Sequence, residues 1–465
     1  MVHCYQNNGF NIVLDVNSGS VHIVDEIVYQ IIPRIGDLLE KMDEHLERSI
    51  YSKEVLKIAK EVCPELSRQE MEEAVDEIVE LYMQRQLFTK DEFEDYMSAF
   101  YNRETVVKAL CLHIAHDCNL ACKYCFADEG EYHGRRAFMS EETGKKALDF
   151  LVKNSGNRIN LEVDFFGGEP LMNFDVVKAI VEYGRSLEER HHKKFRFTLT
   201  TNGVLLKEEM FEFINKEMSN VVLSIDGRKQ VHDYMRPFRS GAGSYELIVP
   251  KFQKLAELRN QMDYYVRGTF TKHNMDFSKD VLALADLGFE QISVEPVVGD
   301  ETYDYTFKNE DLPTLLEEYD RLAKALLKRR EEDKPVNFFH FMIDLSGGPC
   351  VAKRLSGCGS GTEYLAVAPW GDLYPCHQFV GKEEFLLGNL DTGIIQQEIV
   401  DQFKKCNVYA KKECSDCFAK FYCSGGCAAN AYEFSRNING VYEPGCQLQR
   451  KRIECAIMMK AALAE

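Results

Sequence analysis

The stretch Ala109-Leu-Cys-Leu-His-Ile114-Ala-His-Asp-Cys118-Asn-Leu-Ala-Cys122-Lys-Tyr-Cys125 decides how this chain is read. Its first six residues are an apolar run of strand length, and three cysteines follow within eight residues where that strand would end. Working outward, strand-like runs recur at Ile159–Phe166, Phe195–Thr201, Val221–Ile225, Tyr264–Thr271 and Gln291–Val298. Helical runs lie between them, such as Glu141–Val152, Val176–Glu189 and Leu247–Leu258. Ser140 is placed to cap the first of these, with Glu141 and Glu142 in its positive first turn. The alternation predicts an α/β domain over residues 106–330: six βα repeats on a parallel sheet, curved into a partial (β/α)6 barrel. Such sheets place their chemistry in loops at the carboxyl ends of the strands.

The flanks differ in kind. Residues 1–100 read as a small α+β module. Asn11–Val16 and Ser20–Val24 alternate at period two around the turn Asn17-Ser18-Gly19, and three helical stretches follow. The last opens with the capping box Ser67-Arg-Gln-Glu70. This is a winged-helix-like outline. Asp91-Glu-Phe-Glu-Asp95 reads as a solvated linker face. Residues 345–465 are rich in Cys and Gly with weak apolar periodicity, so bound metal is expected to replace part of their core.

Composition narrows the function classes. The chain has 465 residues, 45% of them hydrophobic and 28% charged, a globular balance. Its net charge is −19, and residues 1–105 hold 22 acidic against 10 basic side chains. That disfavours nucleic acid and anionic membrane as partners. No apolar run reaches membrane-spanning length and Met1–Asn8 lacks a secretory pattern, so a cytoplasmic protein is expected. Of sixteen cysteines, nine lie in residues 350–446 and three at 118–125. In a reducing compartment such clusters read as metal ligands. Structural zinc wants four ligands and would have to borrow His113, His116 or His133. Three cysteines in one short loop can instead hold a 4Fe–4S cluster whose fourth iron is left to a small molecule.

The C-x3-C-x2-C spacing after the first barrel strand resembles the radical S-adenosylmethionine (SAM) superfamily. The resemblance implies a cluster on Cys118, Cys122 and Cys125 whose free iron takes SAM, and a 5′-deoxyadenosyl radical from one-electron cleavage of SAM. Gly167-Gly168-Glu169-Pro170 resembles the family's GGEP motif at the SAM amine. Ser224-Ile-Asp226-Gly resembles its motif at the ribose and carboxylate. Arg236 falls where peptide-modifying members hold the SAM carboxylate, and Tyr124 matches an aromatic near adenine. Thr200, Thr201 and Asn202 line the same rim, where a polar turn is the plainer reading for Thr200 and Asn202.

The C-terminal pattern Cys358-x12-Gly371-x4-Cys376, Cys414-x2-Cys417-x5-Cys423-x3-Cys427 and Cys446 resembles the SPASM domain of radical SAM maturases. That implies two auxiliary 4Fe–4S clusters. Cys414, Cys417, Cys423 and Cys446 would hold the outer one, and Cys358, Cys376 and Cys427 the inner one. Either Cys350, reached through Gly347-Gly-Pro, or a substrate thiolate would complete the inner set. Cys4, Cys63, Cys111, Cys406 and Cys455 match no motif and read as incidental thiols. His377 stands where sulfatase-maturing relatives carry an Asp base. It is a candidate base itself, with a surface turn residue as the bland reading. Trp370, in the turn before Cys376, is a candidate floor of the site.

Taken whole, the acidic N-terminal module, the cysteine core and the Gly348-Pro-Cys350 to His377 segment resemble the maturase of six-cysteines-in-forty-five (SCIFF) peptides. The resemblance implies a thioether between a cysteine sulfur and an acceptor carbon of a cysteine-rich precursor peptide. The precursor's leader would be bound by residues 1–100, adding a strand at the Val13–Val24 edge. A flavodoxin or ferredoxin would donate electrons. The alternatives are oxidative maturation of another side chain without a thioether, and a zinc-stapled peptide-binding scaffold.

Overall fold

The computed structural model describes residues 1–39, 41–42, 46–132, 134–300, 302–345 and 351–463. Val2–Asn7 (β1), Phe10–Asp15 (β2) and Val21–Ile23 (β3) form an antiparallel sheet in that order. The sequence pattern predicts only β2 and β3, because β1 carries Gln6 and Asn7 and shows no clear alternation. The middle position of β2 corrects the expected docking edge. Val13 pairs with both Cys4 and His22, so only the β3 half of Val13–Val24 offers an unpaired edge. Helices α1 (Glu26–Leu39), α2 (Arg48–Val62) and α3 (Arg68–Met83) cover the sheet around Val28, Ile31, Ile35, Val55 and Ile78. The Ser67–Glu70 capping box at the start of α3 is present in both directions.

The linker after α3 is a correction. Glu92, Glu94 and Asp95 are exposed as expected, but Asp91 and Phe93 turn inward onto the C-terminal block. Asp91 accepts from Lys420 Nζ at 2.8 Å and from the Tyr409 hydroxyl at 2.7 Å. A short helix, α4 (Met97–Asn102), leads into the barrel.

Six parallel strands follow, with a helix in every gap between them: β4 (Ala109–His116), then, past a two-residue flap β5 (Ala137–Phe138) and α5 (Glu141–Asn154), β6 (Asn160–Gly167), α6 (Phe174–His191), β7 (Lys194–Thr201), α7 (Glu208–Glu217), β8 (Met218–Ser224), α8 (Lys229–Met235), α9 (Tyr245–Leu258), β9 (Tyr264–Phe270), α10 (Ser278–Asp286) and β10 (Gln291–Pro296). The register runs Leu112–Phe165–Leu199–Val221, and on through Leu223–Val266–Ile292. Ser140 caps α5 by accepting from Thr143 N at 3.0 Å. The basic end of α6 closes on His192 in the left-handed conformation.

The barrel stays open. A closed one would pair β10 with β4. Instead β10 takes β11 (Asn337–Phe338), and β4 takes β12 (Tyr364–Val367) in parallel on its free side. Before β11, helix α11 (Leu312–Glu331) packs its Leu312, Leu315, Tyr319 and Leu322 stripe into the core. The C-terminal block is therefore continuous with the barrel sheet. Helix α12 (Val351–Ser356) precedes β12, and β13 (Asp372–Tyr374), β14 (Gly388–Asn389) and β15 (Gly393–Ile394) extend the sheet by antiparallel pairing. Helices α13 (Gln397–Lys405), α14 (Lys420–Cys423), α15 (Ala428–Ser435) and α16 (Glu443–Ala462) complete it, with α16 packed along α11.

In β6, Leu161, Val163 and Phe165 are fully buried toward the helices, while Glu162, Asp164 and Phe166 occupy the opposite face. β9 repeats this, with Val266 buried and Tyr265, Arg267 and Thr269 across from it. A parallel sheet covered on both faces would read as continuous apolar runs. The alternation instead marks a concave face that is polar and not packed shut.

Candidate active site and cysteine clusters

The three-cysteine loop is held by backbone pairing with the segment after α8. Ala121 N donates to Pro237 O and Lys123 N to Met235 O, each at 2.9 Å, and Leu120 bridges Phe238. This pairing brings Arg236 to the loop. Cys118, Cys122, Cys125, Tyr124, Gly167, Gly168, Ser224 and Arg236 line one cleft at the carboxyl ends of the strands, with Thr200, Thr201 and Asn202 on its rim.

The two glycines of Gly167-Gly168 serve a purpose the sequence does not reveal. Gly167 has a φ of 118°, and a Cβ there would meet Ala115 O at 2.4 Å. A Cβ on Gly168 would stand 2.0 Å from Asp117 O. The close approach is thus to the end of β4, where Gly168 N donates to Ala115 O (2.7 Å) and Glu169 N to Asp117 O (3.0 Å). That contact seats the turn beside Cys118.

Two predicted contact residues sit behind the cleft lining. Glu169 is fully buried and accepts from Leu171 N (2.9 Å), Thr201 Oγ1 (2.8 Å) and Asn202 N (2.8 Å). Three of its roughly four lone-pair positions are taken, leaving one for an ammonium. Burial pushes its pKa up, against those hydrogen bonds and Arg236. Asp226 is also fully buried and accepts from the Tyr124 hydroxyl (2.7 and 2.8 Å) and Thr269 N (3.0 Å). Its role in this structure is to position Tyr124, which in turn accepts from Arg236 Nη1 at 2.8 Å. Burial works against the Arg236 charge, but Tyr124, Cys122 and Asp226 outweigh it and hold the pKa well above its usual value.

The donor set suits a cluster and SAM. Arg236 lines the cleft, and its Nε is buried without a partner. A carboxylate would satisfy it, as the lone pair left on Glu169 would satisfy an amine. Burial pushes the Cys122 thiol up to about 11 and Cys118 up to about 12, and neighbouring anions and thiols add to this. Such thiols are neutral at pH 7 unless metal displaces the proton. Asn202 Nδ2 points at Cys118 Sγ, 3.6 Å away. His113 and His116 face each other at 2.9 Å (Nδ1 to Nε2) and pack on Tyr132, so they partner one another and not the cysteines. His133, like Cys350 and Gly347–Pro349, lies outside the described residues. Among the described residues, no three or more His, Cys, Asp or Glu side chains crowd around a point fit for a single metal ion. The case for clusters therefore rests on the chemistry of the donors and their grouping.

The remaining cysteines fall into two groups. Cys414 feels Cys423 and Cys417, and Cys446 feels Cys423 and Cys414. Cys376 feels Cys427 and Cys358. In each case the neighbours are cysteines expected together, in the outer or the inner set. His377 is half-buried and opens the short 3-10 turn His377–Phe379. Its ring packs 5.0 Å from Phe166 and 5.7 Å from Phe126, both walls of the cleft, and it follows Cys376 of the inner set. The Tyr364 hydroxyl lies 3.3 Å from its Nδ1. Burial pushes its pKa down to about 4, so it is a neutral imidazole at pH 7. Trp370 stacks edge-on against His116, behind the cleft.

Residues 112–277 match the profile of the Radical SAM superfamily. This segment is a radical SAM domain. A domain of this family implies a 4Fe–4S cluster and SAM, and the cleft described above lies within the matched segment. Wider likenesses extend beyond the domain. The chain is 27% identical to an uncharacterized protein of Archaeoglobus fulgidus over 83% of this chain and 87% of that one. It is 21% identical to the radical SAM cyclopropyl synthase TigE of Paramaledivibacter caminithermalis, over 74% and 72%. It is 23% identical to a cysteine-type anaerobic sulfatase-maturating enzyme of Clostridium novyi, over 68% and 86%. Among solved structures, anSMEcpe with bound AdoMet superposes with a TM-score of 0.63 at 19% identity, covering 77% of this chain and 99% of that one. Streptococcus suis SuiB bound to the precursor peptide SuiA gives 0.52 at 16% identity, over 93% and 95%. The fold is thus shared along most of the chain. Among the described residues no helix is long and apolar enough to cross a membrane.

Replacing Arg236 with Gln is expected to weaken SAM binding by about 1.5–3 kcal/mol, the range for a hydrogen bond to a charged group. Equilibrium dialysis of the reconstituted protein without reductant measures it.

Proposed function

We propose that this radical SAM enzyme matures a ribosomally made, cysteine-rich precursor peptide by joining a cysteine sulfur to an acceptor carbon. The observation that carries the reading is the position of His377, between Phe126 and Phe166 of the SAM cleft and Cys376 of the inner cysteine set. Two related proteins support a peptide or protein substrate: a sulfatase-maturating enzyme, and SuiB, solved with its precursor peptide. When bound, the clusters and SAM supply a 5′-deoxyadenosyl radical and accept a surplus electron. Glu169 and Arg236 would orient SAM, and Tyr124 and Asp226 would fix Arg236. The substrate would lie against the polar concave face.

The balance sets the protein's task. The acceptor carbon gives up a hydrogen atom, which ends on 5′-deoxyadenosine. The thiol gives up a proton, the C–S bond forms, and one electron remains for the auxiliary clusters. His377, neutral and held at Nδ1 by Tyr364, would take the thiol proton. Its lowered pKa makes it a weak base, so His377→Asn is expected to slow crosslinking by about 10²-fold, the low end for general-base catalysis. Release of 5′-deoxyadenosine should continue, uncoupled from product.

The deciding experiment incubates the anaerobic, reconstituted chain with SAM, reductant and a short cysteine-rich peptide encoded beside it. A product lighter by two hydrogens, with one fewer alkylatable cysteine, is expected. Loss of two hydrogens with every cysteine still alkylatable would overturn thioether formation and favour another oxidation.

A further inference from the structure

His232 takes no part in the motifs above and does not line the cleft, yet a buried chain of hydrogen bonds runs through its ring. It lies in α8, four residues before Arg236, and is fully buried. Asp226 N donates to its Nδ1 at 3.3 Å. That donation makes Nδ1 the acceptor and puts the ring proton on Nε2. Nε2 then donates to Ser244 Oγ at 2.9 Å, and the Ser244 hydroxyl donates to Arg236 O, also at 2.9 Å. Ser244 is fully buried as well, so each link is made away from water. Burial, with the charges of Arg236 and Lys229, pushes the His232 pKa down to about 3, so the ring is neutral and the chain runs in one direction.

Arg236 depends on such support because it stands just past the last turn of α8, with φ −127° and ψ 55°, outside the helical region. The carbonyls on either side of it, Met235 O and Pro237 O, accept from the cysteine loop. Its own carbonyl is taken by Ser244, and its N donates to His232 O at 2.8 Å. His232 therefore holds Arg236 at its N directly and at its O through Ser244. It also holds the backbone of Asp226, which accepts from the Tyr124 hydroxyl that Arg236 contacts.

We propose that His232 is a positioning residue for SAM: through Ser244 and Asp226 N, its ring sets the Arg236 guanidinium in the cleft. The inference rests on the reading that Arg236 binds SAM. It is independent of what the radical then does to the substrate.

The test is equilibrium dialysis of SAM against the reconstituted full chain, without reductant. His232→Asn, whose short amide reaches the Nδ1 position and not Nε2, should bind SAM about 3–10-fold more weakly, the equivalent of one neutral hydrogen bond. Ser244→Ala should cost the same, and the two together no more than either alone. His232→Gln, whose amide nitrogen stands near the Nε2 position, should restore most of the affinity. In the Arg236→Gln background, His232→Asn and Ser244→Ala should cost nothing further. A histidine that served only the fold would lower SAM binding by the same factor in both backgrounds. Ser244→Ala removes one oxygen and keeps the ring, so its cycle with Arg236→Gln decides the matter even where a His232 variant does not fold. Unchanged affinity in Ser244→Ala, or an equal loss with and without Arg236, would overturn the proposal. An Arg236→Gln chain that binds SAM as the parent does would overturn the reading of Arg236 beneath it, and the proposal with it.

Discussion

Replacing Cys118, Cys122 and Cys125 together with Ala is expected to lower iron from about twelve to about eight per chain, one cubane of three. SAM cleavage should fall to the level without enzyme. Without iron, Cys118 and Cys122 are protonated, half-buried thiols beside Cys125, with Glu169 near Cys118. They contribute nothing to folding that Ala would forfeit beyond a few methylene-sized contacts. Thermal unfolding of the metal-free variant should therefore match that of the metal-free parent, which separates loss of the cluster from loss of the fold. SAM should still bind weakly, because Arg236 and Glu169 are untouched. Iron content, anaerobic 5′-deoxyadenosine release and the two unfolding curves check this together. Unchanged iron would place the open-iron cluster elsewhere.

The barrel was legible because its strands alternate. Leu161, Val163 and Phe165 must face helices, and their neighbours must not, so β6 is a strand with one packed face. The same alternation could have revealed the polar concave face, had the intervening residues been read for charge. β1 was hidden because half of its pairing residues are polar. The continuation of the barrel through β12 could not be seen, since Tyr364–Val367 is four residues long and its partner β4 lies some 250 residues earlier. Pairing at that separation leaves no local trace.

The site was legible by type and less so by role. The cysteine spacings put Cys414, Cys417, Cys423 and Cys446 in one expected set, and the structure brings Cys423 near Cys414 and Cys446. Asp226, expected at the ligand, is buried and accepts from the Tyr124 hydroxyl and Thr269 N. Gly168 lines the cleft as the motif implies, and its lack of a Cβ also lets the turn close onto the end of β4. A spacing motif does not say whether a residue touches the ligand or the residue that does.

Lys420→Met is expected to destabilise the protein by about 3 kcal/mol, the low end for breaking a buried ion pair. Lys420 lies between Cys417 and Cys423 of the outer set, and its side chain is 6% exposed against 18% for Asp91. Removing the ammonium leaves the Asp91 carboxylate accepting from the Tyr409 hydroxyl and Phe93 N. The effect should reach the N-terminal module, which rests on the same loop. Phe93 meets Phe421 edge-on, and His3 stacks on Phe418 with ring centroids 3.6 Å apart. Denaturant midpoints of the metal-free proteins measure the loss, and Asp91→Asn added to Lys420→Met should recover most of it. The pH dependence has a definite sign. Burial raises the Asp91 pKa, but Lys420 and Tyr409 outweigh it and hold the pKa below the ordinary value. The pair's contribution is therefore complete above the unfolded pKa of about 3.9 and is lost as pH falls through the lower folded value. Parent and variant should converge in acid. A gap that persists there would mean that Lys420 acts through packing on Phe421 and Tyr409, and not through its charge.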